Sequence, residues 1–258
     1  MFKIDSSAIT YIGLVRENNE DNYYINGKYK ADSGIDTEGF FDNKQRDSYL
    51  YAVCDGMGGG RYGELASMIA VEALAEYQLT DIKRTISDYI QKANKLICGE
   101  IVKNNGVRSG TTLALLFICD NKAISYNIGD SRVYLQRHGD LYLLSEDHTE
   151  AQRLVKMGIL NTEEAGSHKT RNRLTQHFGI FPDEMAIKPF ASEEVKLKKN
   201  DVLMLCSDGL TDMVSDDDIA DILSLKGKDT TYMAKKLASK TQENGSKDNV
   251  TIIVVKVG

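Results

Sequence analysis

Five aspartates, Asp21, Asp55, Asp130, Asp208 and Asp248, each stand where an apolar run meets a polar or glycine-bearing turn. Asp55 has the most crowded setting. The run Tyr49-Leu50-Tyr51-Ala52-Val53-Cys54 reads as a buried strand, ends in that acid, and passes into Gly56-Met57-Gly58-Gly59-Gly60-Arg61-Tyr62-Gly63-Glu64. A carboxylate at a strand end beside bare backbone suits a hard cation. Asp55 offers one oxygen, the Gly56 carbonyl another, and the missing Cβ atoms leave room for water and phosphate. Two other readings share the stretch. Gly58-x-Gly60-x-x-Gly63 spells a dinucleotide fingerprint, but Asp55 would then face a pyrophosphate, and no second strand ending in an acid follows the helix. The third reading is a plain glycine turn with a solvated aspartate.

If the strands pack into one sandwich, the five acids gather at one rim. Carboxylates that close repel and raise one another's pKa. Divalent cations remove that repulsion, and an oxygen-only ligand set favours magnesium or manganese over zinc. Arg16, a short way before Asp21, adds a guanidinium able to fork onto a phosphate. Two cations roughly 3.5–4 Å apart activate a water between them and hold it in line with phosphorus.

The elements that must position these residues follow from periodicity. Ala8 to Leu14 and Asn22 to Asn26 read as strands, and Gly27 to Asp47 as a long surface excursion. Ala66, Ile69, Ala70, Ala73, Leu74 and Tyr77 mark one helix. Ile82, Ile86, Tyr89, Ile90, Ala93, Leu96, Ile97 and Ile101 mark a second, stopped by Asn104-Asn105-Gly106. A run of strands follows: Gly110 to Leu113, Ala123 to Ile128, Val133 to Leu135 and Leu141 to Leu144, with His138-Gly139-Asp140 as a hairpin turn. Two helices and then a strand run do not alternate as a doubly wound parallel sheet does. Ser145 to Phe181 reads as a small surface subdomain with helices opening at Thr149-x-x-Gln152 and Thr162. His148, His168 and His177 in it read as solvated side chains rather than a metal trio, having no HxxxH or HxH pattern. Val195 and Leu197 read as an edge strand and Val202 to Cys206 as a buried one. Ser215-x-x-Asp218 opens a capped helix, Met233 to Ala238 marks the last helix, and Val250 to Val257 the last strand.

The chain has 258 residues, 41% of them hydrophobic, enough for one large globular domain. Its net charge of −6 argues against a broad electrostatic grip on nucleic acid. The four cysteines, Cys54, Cys98, Cys119 and Cys206, sit in apolar patterns with no CxxC pair and read as buried thiols of a reducing compartment. Met1 to Ser7 lacks a signal-peptide apolar region, and Leu113 to Cys119 is too short to span a bilayer. A cytoplasmic protein with no membrane insertion is expected.

Motifs along nearly the whole chain resemble the metal-dependent serine/threonine protein phosphatases, the type 2C or PPM family, in their compact bacterial form. Arg16-x-x-Asn19-Glu20-Asp21 is similar to the first family motif and Asp55-Gly56-Met57-Gly58-Gly59 to the second, continuing as Gly63-Glu64-x-Ala66-Ser67. Gly110-Thr111-Thr112, Gly129-Asp130-Ser131-Arg132, Ser207-Asp208-Gly209-Leu210 and Asp248-Asn249 follow in family order. Asp147-His148 and His168-x-x-Arg171-Asn172-x-Leu174-Thr175 resemble the flap subdomain.

The resemblance implies an α+β fold. This is a four-layer αββα sandwich of two antiparallel sheets between helix pairs, one domain over residues 1–258 with a flap at about 145–181. It implies hydrolysis of phosphoserine and phosphothreonine in proteins at a binuclear Mn2+ or Mg2+ centre. Asp55 would bridge both ions, with the Gly56 carbonyl on one, and Asp208 and Asp248 would complete the other. Glu20 and Asp21 would hold waters around the ions, Arg16 would bind the substrate phosphate, and Asp130 with Asp208 would hold a third, weaker ion. The implied partners are phosphorylated proteins, including a bacterial serine/threonine kinase and its substrates, and the implied state is a monomer. A metal-free pseudophosphatase that binds phosphoproteins without turnover is the competing class. Three departures bear on substrate preference. Met57 replaces a histidine proposed as general acid in animal members, and its thioether cannot donate a proton. In the flap, Lys169 replaces a proline and Gln176 an arginine. The Gly27 to Asp47 excursion is longer than usual.

Overall fold

The structure is a computed structural model and describes residues 2–30, 37–58, 62–77 and 81–258. One sheet runs, in spatial order, β11 (Asp140–Leu143), β10 (Arg132–Arg137), β14 (Val202–Cys206), β15 (Val250–Val257), β1 (Ile4–Tyr11) and β4 (Thr37–Asp42). The other runs β12 (Phe190–Ala191), β9 (Lys122–Ile128), β8 (Leu113–Cys119), β5 (Ser48–Cys54), β2 (Asn22–Ile25) and β3 (Lys28–Tyr29), with β13 (Val195–Lys196) also on β9. A short pair, β6 (Gly56–Met57) and β7 (Gly110–Thr111), stands apart. The helices are α1 (Tyr62–Glu76), α2 (Ile82–Lys103), α3 (Glu150–Lys156), α4 (Thr162–Ser167), α5 (Asp208–Thr211), α6 (Asp216–Leu223) and α7 (Thr230–Glu243).

Three apolar layers hold four layers of structure together. Along β5, Ala52 and Cys54 face α1 and α2, whereas Tyr49, Tyr51 and Val53 face the opposite sheet. Along β15, Ile253, Val255 and Val257 face that sheet-to-sheet core, and Val250, Ile252 and Val254 face α5, α6 and α7. Covering both faces is why these antiparallel strands read as unbroken apolar runs. The expected αββα sandwich is observed. Every strand pairing is antiparallel, so among the described residues no βαβ unit supports the dinucleotide reading.

Local chemistry sets the helix starts. Asn161 and Glu164 form a reciprocal capping box on α4, Thr149 accepts the Gln152 N–H on α3, and Ser215 and Asp229 cap α6 and α7. His138 and Gly139 both take positive φ in the β10–β11 hairpin, the conformation a two-residue turn of that twist requires.

Four expectations fail. The first strand is Ile4–Tyr11, not Ala8 to Leu14, because Gly13 at φ +82° turns the chain out of the sheet. The Gly27 to Asp47 excursion contains β3 and β4, and β4 pairs with β1 as an edge strand; residues 31–36 lie outside the described residues. Leu96 lies off the buried face of α2 and is exposed. Cys119 is only partly buried, unlike Cys54, Cys98 and Cys206.

Candidate active site

The strand registers alone bring the acids together. In the first sheet Tyr11 pairs with Val250, Ile252 with Cys206, and Cys206 with Arg132. The chain leaving β1 towards Arg16, the chain entering β15 from Asp248, the chain leaving β14 into Asp208 and the chain entering β10 from Asp130 therefore share one edge. In the second sheet Asn22 pairs with Cys54, Val53 with Ala114, and Leu113 with Ile128. That register puts Asp21, Asp55, Thr111-Thr112 and Asp130 on one edge as well. Asp130 is common to both, since Gly129-Asp130-Ser131 joins β9 to β10.

Asp55 is held by its backbone. Its carbonyl accepts the Thr112 N–H and the Thr111 hydroxyl, both at 2.9 Å, and its own N–H donates to Thr112 Oγ1 at 3.0 Å. Thr112 Oγ1 lies 2.7 Å from Ser131 Oγ, which ties the Asp55 turn to the Asp130 turn. Gly56 follows because nothing larger fits: a Cβ there would strike the carbonyl oxygens of Gly63 and Glu20. Gly59, Gly60 and Arg61 lie outside the described residues.

Asn249 fixes the loop that carries Arg16, Glu20 and Asp21. Its Nδ2 donates to the carbonyls of Ile12 and Asn18, and its Oδ1 accepts the Glu20 N–H, each at 2.8 Å. The Ser67 hydroxyl donates to the Glu20 carbonyl at 2.6 Å, and the Ser207 hydroxyl to Asp21 Oδ2 at 2.7 Å. Asn249→Ala strands three partly buried backbone groups. It is expected to cost about 3 kcal/mol, read as a fall in melting temperature of about 6–10 °C; a fall of a degree or less would show that water replaces the amide.

Electrostatically the rim is a cluster of acids in excess of their counter-charges. Asp55 is partly buried, and its carboxyl is raised well above the usual range, by loss of water first and then by Asp21, Asp208, Asp130 and Asp248. Asp130 is raised in the same way, by burial first and then by the charge of Asp208. Burial pushes Asp208 up to about 7, helped by the charges of Asp212 and Asp248. Burial likewise pushes Asp21 up to about 6, opposed by Ser207 and Lys30, and Glu20 up to about 7, opposed by Arg16. Among the described residues no lysine or arginine forms an ion pair with Asp55, Asp130 or Asp208. Asp21 Oδ1 is buried without a hydrogen-bond partner. Carboxylates crowded in this number, with a buried orphan oxygen among them and, among the described residues, no ion pair on Asp55, Asp130 or Asp208, fit hard divalent cations.

Asp248 differs from the others. Its carboxylate sits 2.6 Å from the Arg16 guanidinium and is partly exposed. Among the described residues no three acid, histidine or cysteine side chains stand together closely enough to hold a metal ion. Arg16, Glu20, Asp21, Asp55, Gly56, Asp130, Asp208 and Asp248 thus share one rim. Sequence reasoning gave no role to Asn249, Ser207, Thr111, Thr112 or Ser131. Their signal is a small polar residue inside or beside an apolar strand, where a buried hydroxyl or amide must find a partner.

The flap leans on the rim through two ion pairs. Arg132 grips Asp147 through Nε and Nη2, at 3.0 and 2.6 Å, and Arg171 forks onto Asp212 at 2.9 and 3.1 Å. A cleft of about 210 Å3 lies between flap and rim, with Asp130 and Asp208 on one wall and Gln152, Gly166 and Asn172 on the other. The flap histidines are engaged separately: His148 Nδ1 accepts the Gly129 N–H, His168 meets Thr170, and His177 meets the Phe178 carbonyl.

Comparison with known proteins matches this arrangement to one family. The Protein phosphatase 2C family profile matches residues 27–241. The serine/threonine phosphatase stp of Listeria welshimeri is 31% identical over 255 residues, covering 95% of this chain and 92% of the relative. A solved serine/threonine phosphatase of S. agalactiae superposes with a TM-score of 0.83 at 30% identity, covering 99% of this chain and all of that one. The catalytic domain of the serine/threonine protein phosphatase PstP, solved in complex with 2 manganese ions, superposes with a TM-score of 0.79 at 29% identity over 100% of this chain and 99% of that one. The chain belongs to the protein phosphatase 2C family and is a protein phosphatase, a phosphoric monoester hydrolase dependent on divalent metal.

Proposed function

We propose that this chain, as one domain with a flap, hydrolyses phosphoserine and phosphothreonine in proteins at a binuclear manganese or magnesium centre. Asp55 and the Gly56 carbonyl, Asp208 and Asp248 would hold the pair, and Asp130 with Asp208 a third ion. Bound there, the ions supply Lewis acidity and lower the pKa of a water so that it attacks phosphorus near neutral pH. The observation that carries this reading is the partly buried Asp55, its carboxyl raised by loss of water and by Asp21, Asp208, Asp130 and Asp248, with no lysine or arginine among the described residues paired to it.

The chain's own residues do the rest. Thr111, Thr112 and Ser131 fix the Asp55 turn, so its carboxylate does not have to be ordered on binding. Ser207 orients Asp21, and Asn249 orients Glu20 beside it. Arg16 exchanges Asp248 for the substrate phosphate, two oxygens of which match its planar fork. Met57 cannot protonate the departing serine or threonine oxygen, so that proton comes from water in the site. Phosphomonoesters of serine and threonine arise by phosphoryl transfer from a kinase, so a serine/threonine kinase and its substrates are the partners this activity opposes. A monomer meets that role. No described helix is long and apolar enough to cross a membrane, and a cytoplasmic setting is proposed.

Phosphate release from a phosphothreonine peptide with manganese is the test. Release that persists in EDTA, or in Asp208→Ala, would refute the mechanism. Arg16→Ala is expected to raise KM for the phosphopeptide about 10–100-fold, the loss of one charge-assisted phosphate contact. Its manganese-induced thermal stabilisation should be retained; equal loss of manganese binding would show that Arg16 serves the metal instead.

A further inference from the structure

The turn after β1 holds two large aliphatic side chains in water at the edge of the rim. Leu14 is 63% exposed and Val15 66%. A single exposed leucine needs no explanation. This pair differs in its backbone, which is clamped along its length. Gly13 takes φ +82°, and a Cβ there would strike the Asp248 carbonyl. The Leu14 N–H donates to the Ser246 carbonyl at 2.8 Å. Asn249 bonds the carbonyls of Ile12 and Asn18 on either side, and Arg16 bonds Asp248. The two side chains are therefore displayed from a rigid turn fastened to the loop that carries Asp248. Order of that kind lowers the entropic cost of a later contact.

We propose that Leu14 and Val15 form a subsite for an apolar side chain of the phosphoprotein, one or two residues from the phosphorylated serine or threonine. The proposal rests on Arg16 as the phosphate ligand. Val15 precedes Arg16 by one peptide step, about 3.8 Å, and an extended substrate advances roughly 3.3 Å per residue. With its phosphate on the guanidinium, the substrate's neighbouring residues come within reach of the turn that carries the aliphatic pair. The occupant is apolar rather than acidic because exposed Glu17 flanks Arg16 and the rim beyond is itself acidic, so a substrate carboxylate is repelled. Contact with the pair removes apolar surface from water on both sides, and the gain appears in KM rather than kcat because it is already made in the ground state.

The test uses two phosphothreonine peptides, one with leucine at the two positions on either side of the phosphorylated residue and one with serine there. Steady-state kinetics with manganese and Kd by fluorescence anisotropy are measured for both. Wild type is expected to favour the leucine peptide about tenfold in KM and in Kd. The double variant Leu14→Ser, Val15→Ser should bring both ratios near one with kcat kept, and Leu14→Met, Val15→Ile should restore the preference. No preference in wild type, or the same preference in the serine variant, overturns the subsite. Wild-type turnover of p-nitrophenyl phosphate reports the phosphatase reading separately. If it is absent that reading fails, and the Kd ratios still decide the subsite.

Discussion

Asp55→Asn is expected to lower manganese-dependent phosphate release by at least about 10^2–10^3-fold and, in EDTA, to raise the melting temperature. The two effects have one cause. Asp55 sits in a crowded, partly buried cluster in which Asp21, Asp208, Asp130 and Asp248 all raise its carboxyl. At neutral pH the folded chain must either keep that charge against its neighbours or take up a proton that the unfolded chain does not bind. Asparagine has the same shape and no charge, so that cost disappears. A relief of about 2 kcal/mol corresponds to a rise of about 4–8 °C for a chain of this size. The same change removes the anionic oxygen that holds the ions, so the stabilisation normally added by manganese is lost. A variant that melts lower than wild type in EDTA, or that keeps the full manganese shift, would show that Asp55 is a structural acid. The expected trade, stability gained as function goes, is that of a site kept charged for its chemistry.

How far the sequence carries depends on whether a residue's partner is near in the chain. The unbroken apolar runs of β5 and β15 marked strands covered on both faces, but the sandwich itself came from the resemblance of the motifs, because which side chain faces which layer appears only with the register. The acids were legible because each borders an apolar run, and antiparallel pairing turns scattered strand ends into one edge. Arg16 onto Asp248 was not legible as a contact, because it joins positions near opposite ends of the chain through the β1–β15 register. Asn249 was visible as part of a motif, but its three bonds to the Ile12–Glu20 backbone appear only once β15 lies beside β1. The strand β4 was hidden for a different reason. Thr37–Asp42 is an edge strand with one partner, and it lacks the long apolar run that marks a strand covered on both faces. Leu96 was assigned to the buried face of α2 by spacing alone, and its exposure shows that one apolar residue at a permitted position does not fix a face.

In EDTA the folded chain is expected to lose stability as pH rises from about 5 to about 8, and manganese to reverse that trend. Glu20 and Asp208 titrate at about 7 and Asp21 at about 6 in the folded protein, from ordinary values of 4.5 for the glutamate and 3.8 for the aspartates. A raised carboxyl pKa means the folded state binds more protons than the unfolded state between those limits. The stability it contributes is complete below the ordinary value and is lost as pH climbs through the folded value. Asp55 and Asp130 act in the same direction. His148, lowered by burial, works the other way, but it is one group against five. Cations bind the ionised acids, so each proton displaced by manganese strengthens binding as pH rises. Melting temperatures at about pH 5.5 and about pH 7.5, with chelator and with excess manganese, should therefore show a metal-induced shift that grows with pH. A shift of equal size at both pH values would mean that the acids of this rim do not share the ions.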